Sequence, residues 1–75
     1  MKWRLVTNDN DILRDGDQFC LWQDDQDWSY WMPIQLSIGL ALRDFAVAQA
    51  NKFHWNPDID PLRLVRVRRP VGDEQ

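Results

Sequence analysis

The alternation of polar and apolar positions predicts three strands in the first part of the chain. Residues 2–7 (KWRLVT) place Trp3 and Leu5 on one face, which is the pattern of a half-buried strand. Residues 18–23 (QFCLWQ) and 27–32 (DWSYWM) show the same period of two, and the short polar segment between them predicts a hairpin. Aromatic side chains fall on both faces of this hairpin, so we expect some tryptophans to remain accessible.

The periodicity changes to that of a helix after the hairpin. Pro33 suits a first helical turn, because its ring fixes φ and no N–H is needed there. Residues 34–53 are rich in helix-forming side chains and predict a long helix. Its apolar stripe, which we expect to face the core, comprises Ile34, Ile38, Ala41, Leu42 and Phe45. A second, weaker stripe comprises Leu36, Leu40 and Val47.

A loop and a final strand follow the predicted helix. Two prolines make residues 55–61 a loop, and residues 62–69 (LRLVRVRR) return to alternation with Val65 and Val67 on one face. The predicted fold class is α+β, with one long helix packed on a small, mainly antiparallel β-sheet in the order β-β-β-α-β. We expect residues 1–75 to form a single domain, with residues 70–75 as a frayed tail.

The composition restricts the chemistry that the chain can perform. One cysteine and one histidine cannot form an internal disulfide or a four-ligand zinc site, so we expect no metal and no cofactor. Neither residue stands in a catalytic spacing, and the three glycines are too scattered to form a phosphate loop. We therefore predict that the protein is not an enzyme and that buried apolar and aromatic side chains supply its stability.

Charge is segregated along the chain, although the net charge is only −3. Residues 8–27 contain seven aspartates and one arginine, whereas residues 62–69 contain four arginines and no acid. The four are Arg63, Arg66, Arg68 and Arg69. Such runs are typical of a solvated face, and the alternative is that one of them attracts a partner of opposite charge.

A series of short motifs resembles a loose group of small phage and prophage proteins that share the pattern YRxL, an Ile-containing turn, GDEF, Trp, Gly and YRRP. The matching motifs are Trp3-Arg4-Leu5, Asp11-Ile12, Gly16-Asp17-Gln18-Phe19, Trp31-Met32-Pro33-Ile34, Gly39 and Val67-Arg68-Arg69-Pro70. Gln18 stands in place of the acid of this pattern, and Val67 in place of its second tyrosine. The resemblance implies a bacteriophage or prophage origin and supplies no active site. Similarity to small phage inhibitors, including anti-CRISPR proteins, implies a role in blocking a host enzyme or defence system.

The leading hypothesis is a viral protein that binds and inhibits or modulates a host protein, one with a basic, nucleic-acid-binding surface, in the bacterial cytoplasm. Tryptophan and tyrosine are favoured at the centres of interfaces, and carboxylates complement a basic surface. The expected contact residues are Trp22, Trp28, Tyr30 and Trp31, with Asp24, Asp25 and Asp27 as a charged rim. The competing interpretation is that most of these aromatic residues are core.

Two other functions remain open. A structural or assembly protein, acting as a homodimer or a minor virion component, would use Leu36, Leu40 and Val47 as its contact surface. Direct nucleic-acid binding would use Arg63, Arg66, Arg68 and Arg69, but the twelve acidic residues disfavour it. The chain has no apolar run of membrane length and no apolar signal-peptide core, so we expect a soluble cytoplasmic protein.

Overall fold

The computed structural model describes residues 2–23, 26–35 and 39–72. The described strands are β1 (Trp3–Val6), β2 (Gln18–Gln23), β3 (Gln26–Asp27), β4 (Met32–Pro33) and β5 (Val65–Pro70). One helix, α1 (Leu42–Lys52), and one 3-10 turn (Pro61–Arg63) lie between β4 and β5. The α+β class and the antiparallel sheet predicted from the sequence are confirmed.

The last strand occupies the middle of the sheet. The strand order is β1-β5-β2-β3, with β4 paired to β2 beside β3, and every pairing is antiparallel. Val67 lies opposite Val6 on one side and opposite Phe19 on the other. Strand β5 therefore joins the N-terminal strand to the hairpin that begins with β2.

One face of the sheet packs against α1 and forms the core. Val65 and Val67 are both buried, as their shared face predicts. The ring of Phe19 meets that of Phe45 edge to face, with centroids 5.1 Å apart. The buried apolar cluster comprises Val6, Leu13, Leu21, Ile34, Leu42, Phe45, Ala46, Val65 and Val67.

The helix begins at Leu42, so the predicted start at residue 34 is wrong. Pro33 belongs to β4, and the N–H groups of Leu42 and Arg43 donate to backbone carbonyls of residues 11 and 9 at 2.9 and 3.0 Å. These bonds satisfy the first turn from outside the helix, where a capping side chain is usual. Ile34 is still buried, but it reaches the core from an extended segment. Residues 36–38 lie outside the described residues.

Strand β1 presents the opposite face from the one predicted. Val6 is buried, whereas Leu5 is 46% exposed. Both alternating sets of residues 2–7 contain an apolar side chain, so the pattern alone does not distinguish them. Pairing decides the matter, because Val6 lies opposite Val67 in the core and Leu5 opposite Arg68 on the other face.

The second strand of the predicted hairpin is interrupted by a bulge at residues 28–31. The N–H groups of Trp28 and Ser29 both donate to the carbonyl of Leu21, at 2.6 and 3.3 Å. The Ser29 hydroxyl accepts the Leu21 N–H at 2.8 Å. Regular pairing resumes only at Met32, and such bulges redirect side chains.

The final strand starts later than predicted. Residues 61–63 form a 3-10 turn, and the side chain of Asp60 accepts the N–H of Leu62 at its start. Strand β5 therefore begins at Val65, whereas the sequence pattern placed its start at residue 62.

A buried ion pair ties the end of β5 to the turn before β2. Asp17 is 1% exposed, and its two carboxylate oxygens accept the Nε and Nη2 protons of Arg69, both at 2.9 Å. The Arg14 N–H also donates to this carboxylate, and Arg69 Nη2 donates to the carbonyl of Ile12 at 3.0 Å. Burial alone would raise the pKa of Asp17, but the hydrogen bonds from Arg69 and Arg14 and the charge of Arg69 hold it below its usual range.

We expect Asp17→Asn to lower the free energy of unfolding by about 3 kcal/mol, because Arg69 then remains buried without its counter-charge. Because the pKa of Asp17 is depressed in the folded state, its contribution is complete above the unfolded value of 3.8 and is lost as the pH falls through the folded value. Urea unfolding across acidic pH should give a flatter pH dependence for the variant than for the wild type.

The matched control is Asp9→Asn, which removes a carboxylate from the exposed pair with Arg43, where the atoms are 3.5 Å apart. This substitution should lower the free energy of unfolding by less than about 1 kcal/mol. Equal losses for the two variants would contradict a special role for the buried pair.

The C-terminal end of α1 adopts a turn that normally requires glycine. The N–H of Trp55 donates to the carbonyl of Ala50 at 3.2 Å, and the N–H of His54 to that of Asn51 at 3.3 Å. This is a Schellman arrangement, and His54 has the positive φ of 53° that it demands. A side chain at such a φ is strained, since its Cβ approaches the following carbonyl.

We expect His54→Gly to raise the free energy of unfolding by about 1 kcal/mol, since glycine relieves this strain. Thermal unfolding followed by circular dichroism measures the effect. The control is His54→Ala, which keeps the Cβ and should leave the stability within about 0.5 kcal/mol of the wild type. An equal gain from alanine would show that the imidazole, and not the backbone, is the source of strain.

Candidate functional site

The sheet face that points away from α1 carries tryptophan and arginine side chains. These residues alternate along their strands with the core residues, as the period of two requires. The set, which we call the open sheet face, comprises Trp3, Gln18, Trp22, Trp31, Arg66 and Arg68.

Two cation–π stacks organise the open sheet face. The guanidinium carbon of Arg68 lies 4.2 Å from the ring centre of Trp3 and 4.3 Å from that of Trp31, so the group is held between two indoles. Gln18 Oε1 accepts protons from Nε and Nη2 of the same guanidinium at 3.0 and 2.7 Å. In the second stack, Arg66 lies 3.4 Å above the ring centre of Trp22. The two arginines and three indoles pack against one another and cover this face of the sheet, on which no helix of the described residues packs.

A group of three aromatic rings lies where the bulge meets the end of α1. We call Trp28, Phe53 and Trp55 the aromatic corner. The centroid of Trp28 is 5.9 Å from that of Phe53 and 6.0 Å from that of Trp55, and the last two rings stack at 5.4 Å. Trp28 is 52% exposed and Phe53 38% exposed, and Tyr30 on the same bulge is 92% exposed. The rings thus form a supported surface that remains open to solvent.

A cavity of about 470 Å³ lies between the aromatic corner and the open sheet face. Trp55 lines it from the side of the corner, and Trp22 and Arg66 line it from the side of the sheet. The 3-10 turn contributes Leu62 and Arg63. The cavity is therefore bounded by two indoles and two guanidinium groups.

The structure separates the seven residues that were predicted as partner contacts. Trp22 and Trp31 are half-buried in the cation–π stacks, whereas Trp28 and Tyr30 are exposed on the bulge. Asp27 is exposed beside them. Asp24 and Asp25 lie outside the described residues. Asp27 and Trp28 therefore lie together on an exposed surface, whereas Trp31 stacks against Arg68 on the open sheet face.

The predicted arginine strip is also divided. Arg63 is exposed, and Arg66 and Arg68 are half-buried in the stacks. Arg69 is only 7% exposed and bonded to Asp17, so it is not available to bind an anion, contrary to the expectation from the sequence. For self-association, Leu40 and Val47 are 37% and 39% exposed, and Leu36 lies outside the described residues.

Sequence reasoning missed Phe53, Trp55 and the cavity between the elements. The two aromatic residues follow the helix directly, and only the bulge at residues 28–31 brings Trp28 against them. Phe53 and Trp55 flank His54 in the sequence, and this was the one local indication of an aromatic surface at the end of the helix.

The cysteine does not have the properties of a nucleophile. Cys20 is fully buried in β2, and its Sγ donates to Asp27 Oδ1 at 3.4 Å. Burial, with this hydrogen bond and the charge of Asp27, raises the pKa of the thiol to about 12. No three potential metal-ligating side chains come together among the described residues. Within the same residues, no helix is long and apolar enough to cross a bilayer.

Comparison of the chain with protein-family models, with curated proteins and with solved structures found no match.

We expect Cys20 to resist iodoacetamide in the folded protein at pH 8, because a thiol with a pKa of about 12 supplies almost no thiolate there. Mass spectrometry should show rapid modification in guanidinium chloride and almost none in its absence. The Asp27→Asn variant removes the smaller cause of the raised pKa, the charge of Asp27, and leaves the thiol buried, so folded-state labelling should become only slightly faster. Labelling of the native wild type at the unfolded rate would contradict the burial and the raised pKa.

Proposed function

We propose that the protein acts by binding another protein and has no catalytic activity of its own. The observation that carries this proposal is the solvent-exposed aromatic corner, together with the exposed Tyr30 on the adjoining bulge. Exposed clusters of large apolar side chains are costly in water and mark contact surfaces. Tryptophan and tyrosine are the side chains most often found to dominate the energy of such interfaces.

The charge next to this surface supports a basic partner. Asp27 directly precedes Trp28 and is exposed. Carboxylates at the rim of an aromatic contact increase the rate of encounter with a positively charged protein. We propose that the partner is a host protein of the bacterial cytoplasm with a basic, nucleic-acid-binding surface, and that binding inhibits or modulates it. The resemblance to small phage proteins supports this direction.

Self-association is a second candidate, supported by the exposure of Leu40 and Val47. These two side chains are about as exposed as Phe53, but neither lies in an aromatic cluster. The aromatic corner therefore carries the stronger argument.

The test of the protein-binding function is affinity capture from a bacterial lysate, followed by measurement of the affinity for the captured protein. We expect Tyr30→Ala to weaken binding about tenfold or more, since an interface tyrosine commonly contributes 2 kcal/mol or above. The fold should not change, because this side chain is 92% exposed. Leu5→Ala, at a 46% exposed position on β1, is the matched control and should bind as the wild type does.

Charge is tested separately with Asp27→Asn and, as its control, Asp44→Asn on the exposed side of α1. Only Asp27→Asn should associate with the partner more slowly than the wild type at low salt, and added salt should make the two association rates equal. Capture that is equal for wild type and Tyr30→Ala, or no capture at all, would contradict the proposed surface.

A further inference from the structure

The cavity between the open sheet face and the aromatic corner shares only Trp55 with the proposed protein contact. Its volume of about 470 Å³ is within the range of pockets that hold small ligands, roughly 300–1,000 Å³. Trp22 and Trp55 present indole rings to it, and Ile59 and Leu62 add apolar surface. Such a lining favours a flat, aromatic group, which can stack on an indole.

The charged side chains of the cavity are both cations. Arg63 and Arg66 line it, and no described carboxylate does. Neither guanidinium forms an ion pair with a described residue, in contrast to Arg43 and Arg69. Their positive charge is thus available to an anion.

The orientation of one cation is fixed in advance. The guanidinium carbon of Arg66 lies 3.4 Å from the centre of the Trp22 ring, so the guanidinium stacks on the indole and its movement is restricted. A group held in this way loses little conformational entropy when it binds a planar or tetrahedral oxyanion. Arg63, which is exposed at the end of the 3-10 turn, can adjust to the same ligand.

We infer that this cavity binds a nucleobase that carries a phosphate, with the base stacked against Trp55 and the phosphate held by Arg63 and Arg66. The Gln23 side chain, which also lines the cavity, supplies an amide for the polar edge of the base. The same chemistry is present in a free mononucleotide and at each position of a single-stranded nucleic acid. This inference does not rest on the proposed protein contact, whose most exposed residues, Trp28 and Tyr30, do not line the cavity.

Exposed acidic side chains limit the affinity of this site. Asp58 and Asp60 lie in the loop that precedes the 3-10 turn, and the whole chain has a net charge of −3. A phosphate therefore gains only from the two arginines of the cavity and not from the general field of the protein. Binding should depend on the aromatic group as well as on the phosphate.

The test is a titration followed through the five indole N–H signals in two-dimensional NMR spectra of the full chain. The signals are assigned with single Trp→Phe variants. Thymidine monophosphate, inorganic phosphate and a short oligothymidylate are added separately into the millimolar range. We expect the thymidine ligands to shift the signals of Trp22 and Trp55 and to leave those of Trp3 and Trp31 in place, with inorganic phosphate producing much smaller shifts.

Arg63→Gln is the informative variant, because this exposed side chain has no described role in the fold. It should weaken binding about tenfold, the loss expected for one charge-assisted contact. Arg4→Gln removes the same charge from the exposed edge strand β1, beside the opposite end of β5, and should change the affinity by less than about twofold.

The ligands also distinguish between a free nucleotide and a single-stranded nucleic acid as the molecule that the cavity binds. Binding of the oligothymidylate at concentrations where the monophosphate does not bind would assign the site to single-stranded nucleic acid, and equal binding would assign it to the free nucleotide. Three results would overturn the inference: no shift of Trp22 and Trp55 with either ligand, equal weakening by both arginine variants, or equal shifts caused by a polyglutamate peptide. The last result would show that the cavity recognises negative charge alone, as in an acidic protein segment.

Discussion

The buried pair of Asp17 and Arg69 is the interaction on which the rest of the architecture depends. It joins two segments that are far apart in the sequence, and the guanidinium also holds the carbonyl of Ile12. A charge in the interior is tolerated only when it is fully paired, so the two segments must meet in one register. With the single cysteine reduced and buried, no covalent link performs this task. The register of β5 between β1 and β2 follows, and with it the position of every arginine on the open sheet face.

Much of the fold could be predicted from local sequence patterns, and the predictions that were wrong failed because of contacts between distant segments. Side chains of β2 and the valines of β5 alternate between the two sheet faces with a simple period of two. This alternation is regular because both strands are central in the sheet. Residues 34–41 have apolar spacing that fits a helix, but the N–H of Ile34 bonds to the carbonyl of Asp17, and the backbone of Gly39 and Leu40 bonds to Leu13. Such pairing cannot be deduced from the segment itself. The inverted face of β1 has the same origin, since only its partner strand distinguishes Leu5 from Val6.

The candidate site was partly accessible from the sequence. Exposed tryptophan and tyrosine could be expected from the surplus of aromatic residues on both faces of a hairpin. The burial of Arg69 could also have been expected, because residues 65, 67 and 69 share one face of a strand and two of them are core valines. The contacts between the rings could not have been expected, because they depend on the bulge at residues 28–31. That bulge is held by hydrogen bonds from the Trp28 and Ser29 N–H groups to the Leu21 carbonyl and from the Leu21 N–H to the Ser29 hydroxyl.

The central position of β5 has a consequence for the order of folding. Strands β1 and β2 do not pair with each other. Among the described residues β1 pairs only with β5, and β2 has β3 and β4 on one edge and β5 on the other, so both strands keep an open edge until residues 65–70 have been synthesised. Contacts between segments so distant in sequence form slowly, because a long loop must close first. During synthesis on the ribosome, the N-terminal strands therefore remain with unpaired edges and exposed indoles. Rapid completion of the chain, or a chaperone that shields these strands, protects the nascent protein from aggregation.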